Sequence, residues 1–247
     1  MCILAGGLGT RLGNAAATTP KALTEVAGEP FLFHQLRLLA RHGARNVVLC
    51  VGHLGGQIEA EIGSSRFGVD IRYSYDGPRL DGTLGALRRA RPLLGDRFLV
   101  LYGDTYLRVD YEMFSAAWVK SGLSAGMTVL HNQGHWDRSN VIYADGRVVR
   151  YEKGADDPMM EWIDYGLGAL RSEVLDLVGL DEHDLGVLYG ELALQSQLFG
   201  FEAAERFFEI GTPAALAETR EYFVAIRGRP RHDGGSEAGS VQGGMNE

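Results

Sequence analysis

Gly6-Gly7-Leu8-Gly9-Thr10-Arg11 follows directly on a short apolar run, Cys2 to Ala5, and Pro20-Lys21 comes ten residues later. These residue types at this spacing can hold a polyphosphate. Glycines let backbone N–H groups close on phosphate oxygens without a Cβ in the way, and successive amides in such a turn form an anion-binding concavity. Arg11 and Lys21 add fixed positive charge, the first as a planar fork and the second as a point charge. The Walker loop G-x-x-x-x-G-K-[ST] does not occur in this stretch. Gly7-Leu8-Gly9 opens the dinucleotide fingerprint G-x-G-x-x-G, but its third glycine falls on Leu12, and Gly13 comes one residue late. A glycine turn without a ligand explains the glycines and leaves Arg11 and Pro20-Lys21 as coincidence.

The string L-A-G-G-x-G-T-R-L followed by P-K resembles the signature of the sugar-1-phosphate nucleotidyltransferases, which make nucleoside diphosphate sugars. The similarity extends to about Phe223. It implies that Leu4, Ala5, Gly6, Gly7, Gly9 and Thr10 line the nucleotide, and that Arg11, Lys21 and Asp104 are the catalytic residues. Gly103-Asp104 ends an apolar run, where an Asp is ordinarily a turn former or helix cap. In the family, the aspartate of this G-D step is a metal ligand, and a polyphosphate substrate calls for Mg²⁺ held by one or two carboxylates and the phosphates themselves. The family's second metal carboxylate lies in a W-x-D-x-G-T-P-like segment. Here that segment is Phe207-Phe208-Glu209-Ile210-Gly211-Thr212-Pro213, which places Glu209 at the metal, with a charge at the start of the following helix as its other reading.

Three further segments follow the family pattern. Gly82-Thr83-Leu84-Gly85 matches the segment that lies against base and ribose, where absent side chains make room for a flat ring; Asp81 stands where an apolar residue is usual. His53, after the second strand, is a base-side candidate. Glu152-Lys153-Gly154 resembles an E-K-P step in which the glutamate holds sugar hydroxyls and the lysine meets the sugar phosphate. A solvated Glu-Lys pair at a hairpin end is the alternative. Trp162 to Gly166 matches the segment facing the sugar ring, with Asp164 and Gly166 as substrate-side residues.

The implied reaction is attack by the ionised oxygen of a sugar 1-phosphate on the α-phosphorus of an NTP. Positioning and charge carry it, with no Ser-His-Asp system and no G-x-S-x-G motif. GTP with heptose or mannose 1-phosphate, for a cell-surface polysaccharide, is the expected pair; thymidylyl, cytidylyl and uridylyl transfer stay open. Two other classes compete: a catalytically silent regulator on the same fold, motivated by Glu209 and Gly154, and a dinucleotide-dependent oxidoreductase, motivated by Gly7-Leu8-Gly9.

Strand–helix alternation must position these residues. Apolar runs at 47–51, 69–75 and 98–102 read as strands, and 53–62 and 82–94 as helices; another helix opens at Pro30 and stops at Gly43. This predicts a Rossmann-like three-layer α/β/α fold with a mostly parallel central sheet and ligands at the carboxyl ends of its strands. Beyond residue 124, strands are expected at 127–131, 140–143, 148–152, 162–170 and 207–210, with a hairpin turn at Ala144-Asp145-Gly146. Helices are expected at 184–199 and from Pro213 to about residue 224. Residues 1–227 are expected to form one nucleotidyltransferase domain, with a nucleotide-handling half at 1–123 and a sugar-handling half at 124–227. Residues 228–247 lack apolar periodicity and read as a disordered tail.

Composition is ordinary for a soluble globular protein: 247 residues, 45% hydrophobic and 23% charged. A net charge of −8 argues against nucleic-acid binding, because no basic stripe could neutralise a phosphate backbone. Cys2 and Cys50 are the only cysteines and read as core hydrophobes in a reducing compartment. No secretory-type apolar segment opens the chain and no apolar run approaches a membrane span, so a cytoplasmic location without membrane partners is expected. Association into a homo-oligomer stays open.

Overall fold

The computed structural model describes residues 1–7, 9, 18–77, 80–136 and 138–227. Strand β1 (Cys2–Leu4) is buried on both faces, with Ile3 in one apolar cluster and Cys2 in another. A hairpin of β2 (Glu25–Val26) and β3 (Glu29–Pro30) follows, turning on Ala27 and Gly28, both at positive φ. Helix α1 (Phe31–Arg41) starts after Pro30, whose extended conformation caps it, and buries Leu32, Leu36 and Leu39. Strand β4 (Asn46–Val51) repeats the alternation of β1: Val47, Leu49 and Val51 face one cluster, Val48 and Cys50 the other.

Helix α2 (Gly55–Ile62), the short β5 (Ser65–Arg66), β6 (Val69–Tyr75), α3 (Gly82–Ala90) and β7 (Arg97–Tyr102) complete the first half. Strands β7, β1, β4 and β6 are parallel neighbours in that order. Helix α2 begins two residues later than expected because Leu54 takes a left-handed conformation, φ 61°, and 53–54 form a turn. Helix α3 gives way at Arg91 to a 3-10 turn containing Pro92, which cannot continue an α-helix.

The second half begins with the two-residue β8 (Thr105–Tyr106) and α4 (Tyr111–Ser121), capped by the Asp110 side chain. Strand β9 (Ala125–His131) precedes a hairpin of β10 (Val141–Ala144) and β11 (Arg147–Tyr151), turning on Asp145 and Gly146 at positive φ as predicted. Strand β12 (Trp162–Arg171) runs antiparallel between β7 and β9 and joins the halves into one ten-stranded sheet among the described residues. Helix α5 (Leu185–Leu194) is shorter than the expected 184–199. The chain reverses at Ser196, φ 56°, and β13 (Leu198–Glu202) pairs parallel to β9. Strand β14 (Phe208–Glu209) pairs with β8 rather than with the large sheet, and α6 (Pro213–Arg227) closes the description.

The two clusters lie on opposite faces of the sheet, one containing residues of α1, α2 and α4 and the other residues of α3 and α5, which gives the predicted three layers. A third, smaller cluster joins Val26, Phe31, Tyr106, Phe208, Ile210 and Phe223, and fastens α6 onto the β8–β14 pair. No helix among the described residues is long and apolar enough to cross a membrane. The expected tail, 228–247, lies outside the described residues, as do Leu8 and 10–17.

Candidate active site

The carboxyl ends of β1, β4 and β7 meet at one wall of main chain. The Gly103 N–H donates to Leu4 O at 2.9 Å, and the Ala5 N–H to Cys50 O at 2.8 Å. A Cβ at residue 103 would lie 2.9 Å from Leu4 O, and one at residue 52 would lie 2.9 Å from Gly6 O, so only glycine permits this approach. The wall borders a cavity of about 230 Å³ lined by Leu4, Ala5, Gly6 and Gly7, by Gly82 and Thr83 of α3, and by Lys21, Tyr102, Gly103 and Asp104. The structure therefore brings most of the predicted nucleotide residues to one place. Gly9, at φ 63°, is not among the lining residues, and His53 is exposed in its turn and also outside the lining. Thr10 and Arg11 lie outside the described residues.

Gly82 lines the cavity, and both Gly82 and Gly85 also pack closely on protein atoms. A Cβ at residue 82 would lie 2.5 Å from the His183 carbonyl oxygen, and one at residue 85 would lie 2.7 Å from Asp81 Cβ. The missing side chains admit a loop of the protein itself, and Leu84 N–H seals that contact on His183 O at 2.9 Å.

Charge concentrates at the turn after β7. Lys21 Nζ stands 2.6 Å from Asp104 Oδ2, and the Thr105 hydroxyl donates to Asp104 Oδ1 at 3.1 Å. The turn is held from beneath by Gln35 of α1, a buried side chain whose Nε2 donates to Tyr102 O at 2.8 Å and Thr105 O at 2.7 Å. From the other side, β14 pairs Glu209 with Thr105, and the Ile210 N–H donates to Asp104 O at 3.0 Å. The Thr219 hydroxyl of α6 holds Glu209 O at 2.6 Å. A Cβ at residue 211 would lie 2.7 Å from Glu209 Oε2 and 3.3 Å from Lys21 Nζ, so the Glu209 carboxylate lies on the same side of the turn as the Lys21–Asp104 pair. No group of three or more metal-ligating side chains occurs among the described residues. Two hard carboxylates beside a phosphate-sized cavity fit Mg²⁺, which keeps its other positions for substrate phosphates and water.

Asp76, at the end of β6, is a lining residue that the sequence reading did not single out. Burial pushes its carboxyl above the ordinary carboxylate range, and the nearby Asp81 carboxylate adds to this against Arg89 and the Asp81 N–H. Its Oδ2 would lie 2.9 Å from a Cβ at residue 52 and 3.1 Å from one at residue 6, so it faces the two closely packed glycine segments.

The segment expected to face the sugar is built from side chains. Strand β12 loses register with β9 between Asp164 and Gly168, and Gly166 takes φ 105° inside this bulge. The bulge turns the Gly166 N–H onto Asp164 Oδ1 at 2.9 Å. Burial holds the Asp164 carboxyl above its usual range, opposed by that N–H, the Lys153 ammonium and the Tyr151 hydroxyl. Burial pushes both Tyr102 and Tyr189 up; Asp164 and then Asp184 add to this for Tyr102, and Tyr102 and then Asp164 for Tyr189. Glu152 and Lys153 do not pair with each other. Glu152 takes Arg150 at 2.6 Å, and Lys153 reaches Asp184 at 3.0 Å, which disposes of the solvated Glu-Lys pair.

With this geometry in place, comparison with known proteins gives the class. The family model described as MobA-like NTP transferase domain matches residues 1–196, and the chain belongs to that family. It is a nucleotidyltransferase, and the dinucleotide reading falls. The N-acetylmuramate alpha-1-phosphate uridylyltransferase of Neisseria meningitidis serogroup B is 30% identical over 226 residues, covering 88% of this chain and 95% of that one. The mannose-1-phosphate guanylyltransferase catalytic subunit beta of Xenopus tropicalis is 28% identical over 85% of this chain, which spans 61% of that longer protein. Among solved structures, a putative glucose-1-phosphate thymidylyltransferase from Bacillus anthracis superposes with a TM-score of 0.80 at 20% identity, covering 90% of this chain and 93% of that one. HddC from Yersinia pseudotuberculosis superposes with a TM-score of 0.74 at 23% identity, covering 90% and 98%. These structures share the fold, and the sequence relatives bear out the resemblance to sugar-1-phosphate nucleotidyltransferases.

Proposed function

We propose that this chain condenses an NTP with a sugar 1-phosphate to an NDP-sugar and pyrophosphate, with GTP and heptose or mannose 1-phosphate as its pair. What supports the reaction is a glycine-walled cavity lined by Lys21 and Asp104, with Glu209 packed beside that turn and Lys153 tied through Asp184 to the start of α5, next to the lining residue Thr83. The choice of base rests on Asp76. A carboxylate only accepts hydrogen bonds, guanine offers it two adjacent donors, and uracil or thymine presents one donor flanked by acceptors.

A sugar 1-phosphate oxygen forms the new bond to the α-phosphorus as the bond to the leaving pyrophosphate breaks, in line. The main-chain amides and Lys21 hold the triphosphate, joined by Arg11 on the sequence reading, while Lys153 holds the incoming phosphate against the repulsion between the two anions. Asp104 and Glu209 would hold Mg²⁺. When bound, the ion supplies charge neutralisation for the phosphoryl group in transfer and for the leaving pyrophosphate. Asp164 accepts hydrogen bonds from sugar hydroxyls.

The test is a matrix of NTPs against sugar 1-phosphates read by pyrophosphate release, with Asp76→Asn run beside the natural chain. GTP is expected to lead, and Asp76→Asn to narrow its advantage over UTP. No pyrophosphate from any pair would overturn the reaction, whereas a preference for UTP in the natural chain would overturn the base.

A further inference from the structure

Lys153 occupies an electrostatically awkward place. Its Cε and Nζ would lie 3.1 and 3.2 Å from a Cβ at residue 186, so the side chain crosses the first turn of α5, where Gly186 leaves room for it. The amino end of a helix carries partial positive charge and disfavours a cation. A half-exposed lysine stem also has ~2 kcal/mol of rotamer entropy drawing it toward solvent. Something must hold the ammonium there.

Asp184 does so. Its Oδ1 lies 3.0 Å from Lys153 Nζ and also accepts the Gly186 N–H at 2.8 Å as the N-cap of α5. Thr83 Oγ1 accepts the Leu185 N–H at 2.9 Å, which seats Thr83 on the first turn of α5 beside Asp184. Burial alone would raise the Asp184 carboxyl, yet these bonds and the lysine charge bring it below its usual range. Thr83 is itself a lining residue of the nucleotide cavity. A single carboxylate thus spans from the cavity wall to the lysine on the sugar side.

We propose that Asp184 is a positioning residue of the transfer reaction, fixing the Lys153 ammonium beside the start of α3 so that it receives the sugar phosphate next to the nucleotide. One of the three ammonium donors goes to Asp184 and two are left for phosphate oxygens. The assignment rests on the proposed function and adds a residue that contacts neither substrate.

Steady-state kinetics with both substrates varied, on the pair found active in the matrix, test it with Asp184→Asn, Lys153→Ala and the double variant. Asparagine caps a helix as well as aspartate and keeps the acceptor for Gly186, so folding is preserved while the charge on Lys153 is lost. Asp184→Asn is expected to raise KM for the sugar phosphate about threefold to tenfold and to leave KM for the NTP within about twofold. In the Lys153→Ala background it should add nothing. An unchanged sugar-phosphate KM, or the same factor with and without Lys153, would show that Asp184 only caps a helix. Asp184→Ser, which also caps, carries the same comparison if the asparagine variant fails to fold. A natural chain inactive with every pair removes the functional reading and this assignment together; an active chain that responds to Lys153→Ala but not to Asp184→Asn removes this assignment alone.

Discussion

The two sides of the cleft are made of different material. On the side proposed for the nucleotide, Leu4, Ala5, Gly6, Gly52 and Gly103 form a wall of main chain whose parallel strands leave amides and carbonyls at their ends, and among the described residues Lys21, Asp76 and the Asp104–Glu209 pair add charged side chains around it. On the side proposed for the sugar the strands are antiparallel and bulged, and the surface is made of side chains: Asp164, Lys153 and a set of buried tyrosines. Main chain offers the same groups whatever the sequence, which suits a triphosphate common to all NTPs. A wall of side chains can be altered one residue at a time. On the proposed reaction, the invariant partner and the variable partner each meet the kind of surface that matches them.

The largest expected effect is at the carboxylates that serve both sides. Asp104→Asn should lower turnover by roughly 10² to 10³, the usual cost of removing one preorganised charge contact, while the unfolding midpoint stays close to that of the natural chain. Near-normal pyrophosphate release at saturating Mg²⁺ would detach Asp104 from the chemistry and break the comparison at its centre.

Next comes the main-chain wall. Gly103→Ala places a Cβ 2.9 Å from Leu4 O and 3.1 Å from Ala5 Cα, neighbours that cannot swing aside. A loss of about 1–3 kcal/mol in urea unfolding is expected, with KM for the NTP rising more than KM for the sugar phosphate. Gly7→Ala sharpens the contrast, because a Cβ there meets nothing within 4 Å, and its stability should stay within about 0.5 kcal/mol of the natural chain. Equal destabilisation by the two would mean that close main-chain approach is not what the glycines provide.

The smallest effect belongs to the sugar wall. Because burial raises the Asp164 carboxyl, its contribution to stability is largest below the unfolded carboxylate range and is lost as pH rises through its higher folded value. Asp164→Asn removes that dependence. Its melting temperature at pH 7 should equal or exceed that of the natural chain by about 1–3 °C, its advantage should shrink in acid, and its KM for the sugar phosphate should rise. A lower melting temperature at pH 7 would show that the charged form is welcome where it lies.

What could be read in the chain follows the same division. Local signals were legible: the apolar runs that became β1, β4, β6 and β7, the Asp145-Gly146 turn, and the stretches around Lys21 and Asp104. Contacts set by long-range pairing were not. Strand β13 hides within an apolar stretch that reads as the end of α5, and only its pairing with β9 and the reversal at Ser196 decide otherwise. Asp76, Gln35 and Asp184 carry no motif. Each matters through a partner distant in sequence: the glycine segments for Asp76, both flanks of the Asp104 turn for Gln35, and Lys153 and Thr83 for Asp184. At Gly82 the spacing could not show that the missing side chain also admits the His183 carbonyl.

Strands β8 and β14 form a two-stranded sheet that joins Thr105 to Glu209. During synthesis the two carboxylates therefore cannot come together until almost the whole described chain has left the ribosome and α6 has packed over Tyr106 and Phe208. The glycine wall and β1, β4, β6 and β7 are complete long before then, so a nascent chain that could already shelter a nucleotide would still lack the second acidic group. On the proposed reaction, the order of emergence makes chemical competence the last property acquired.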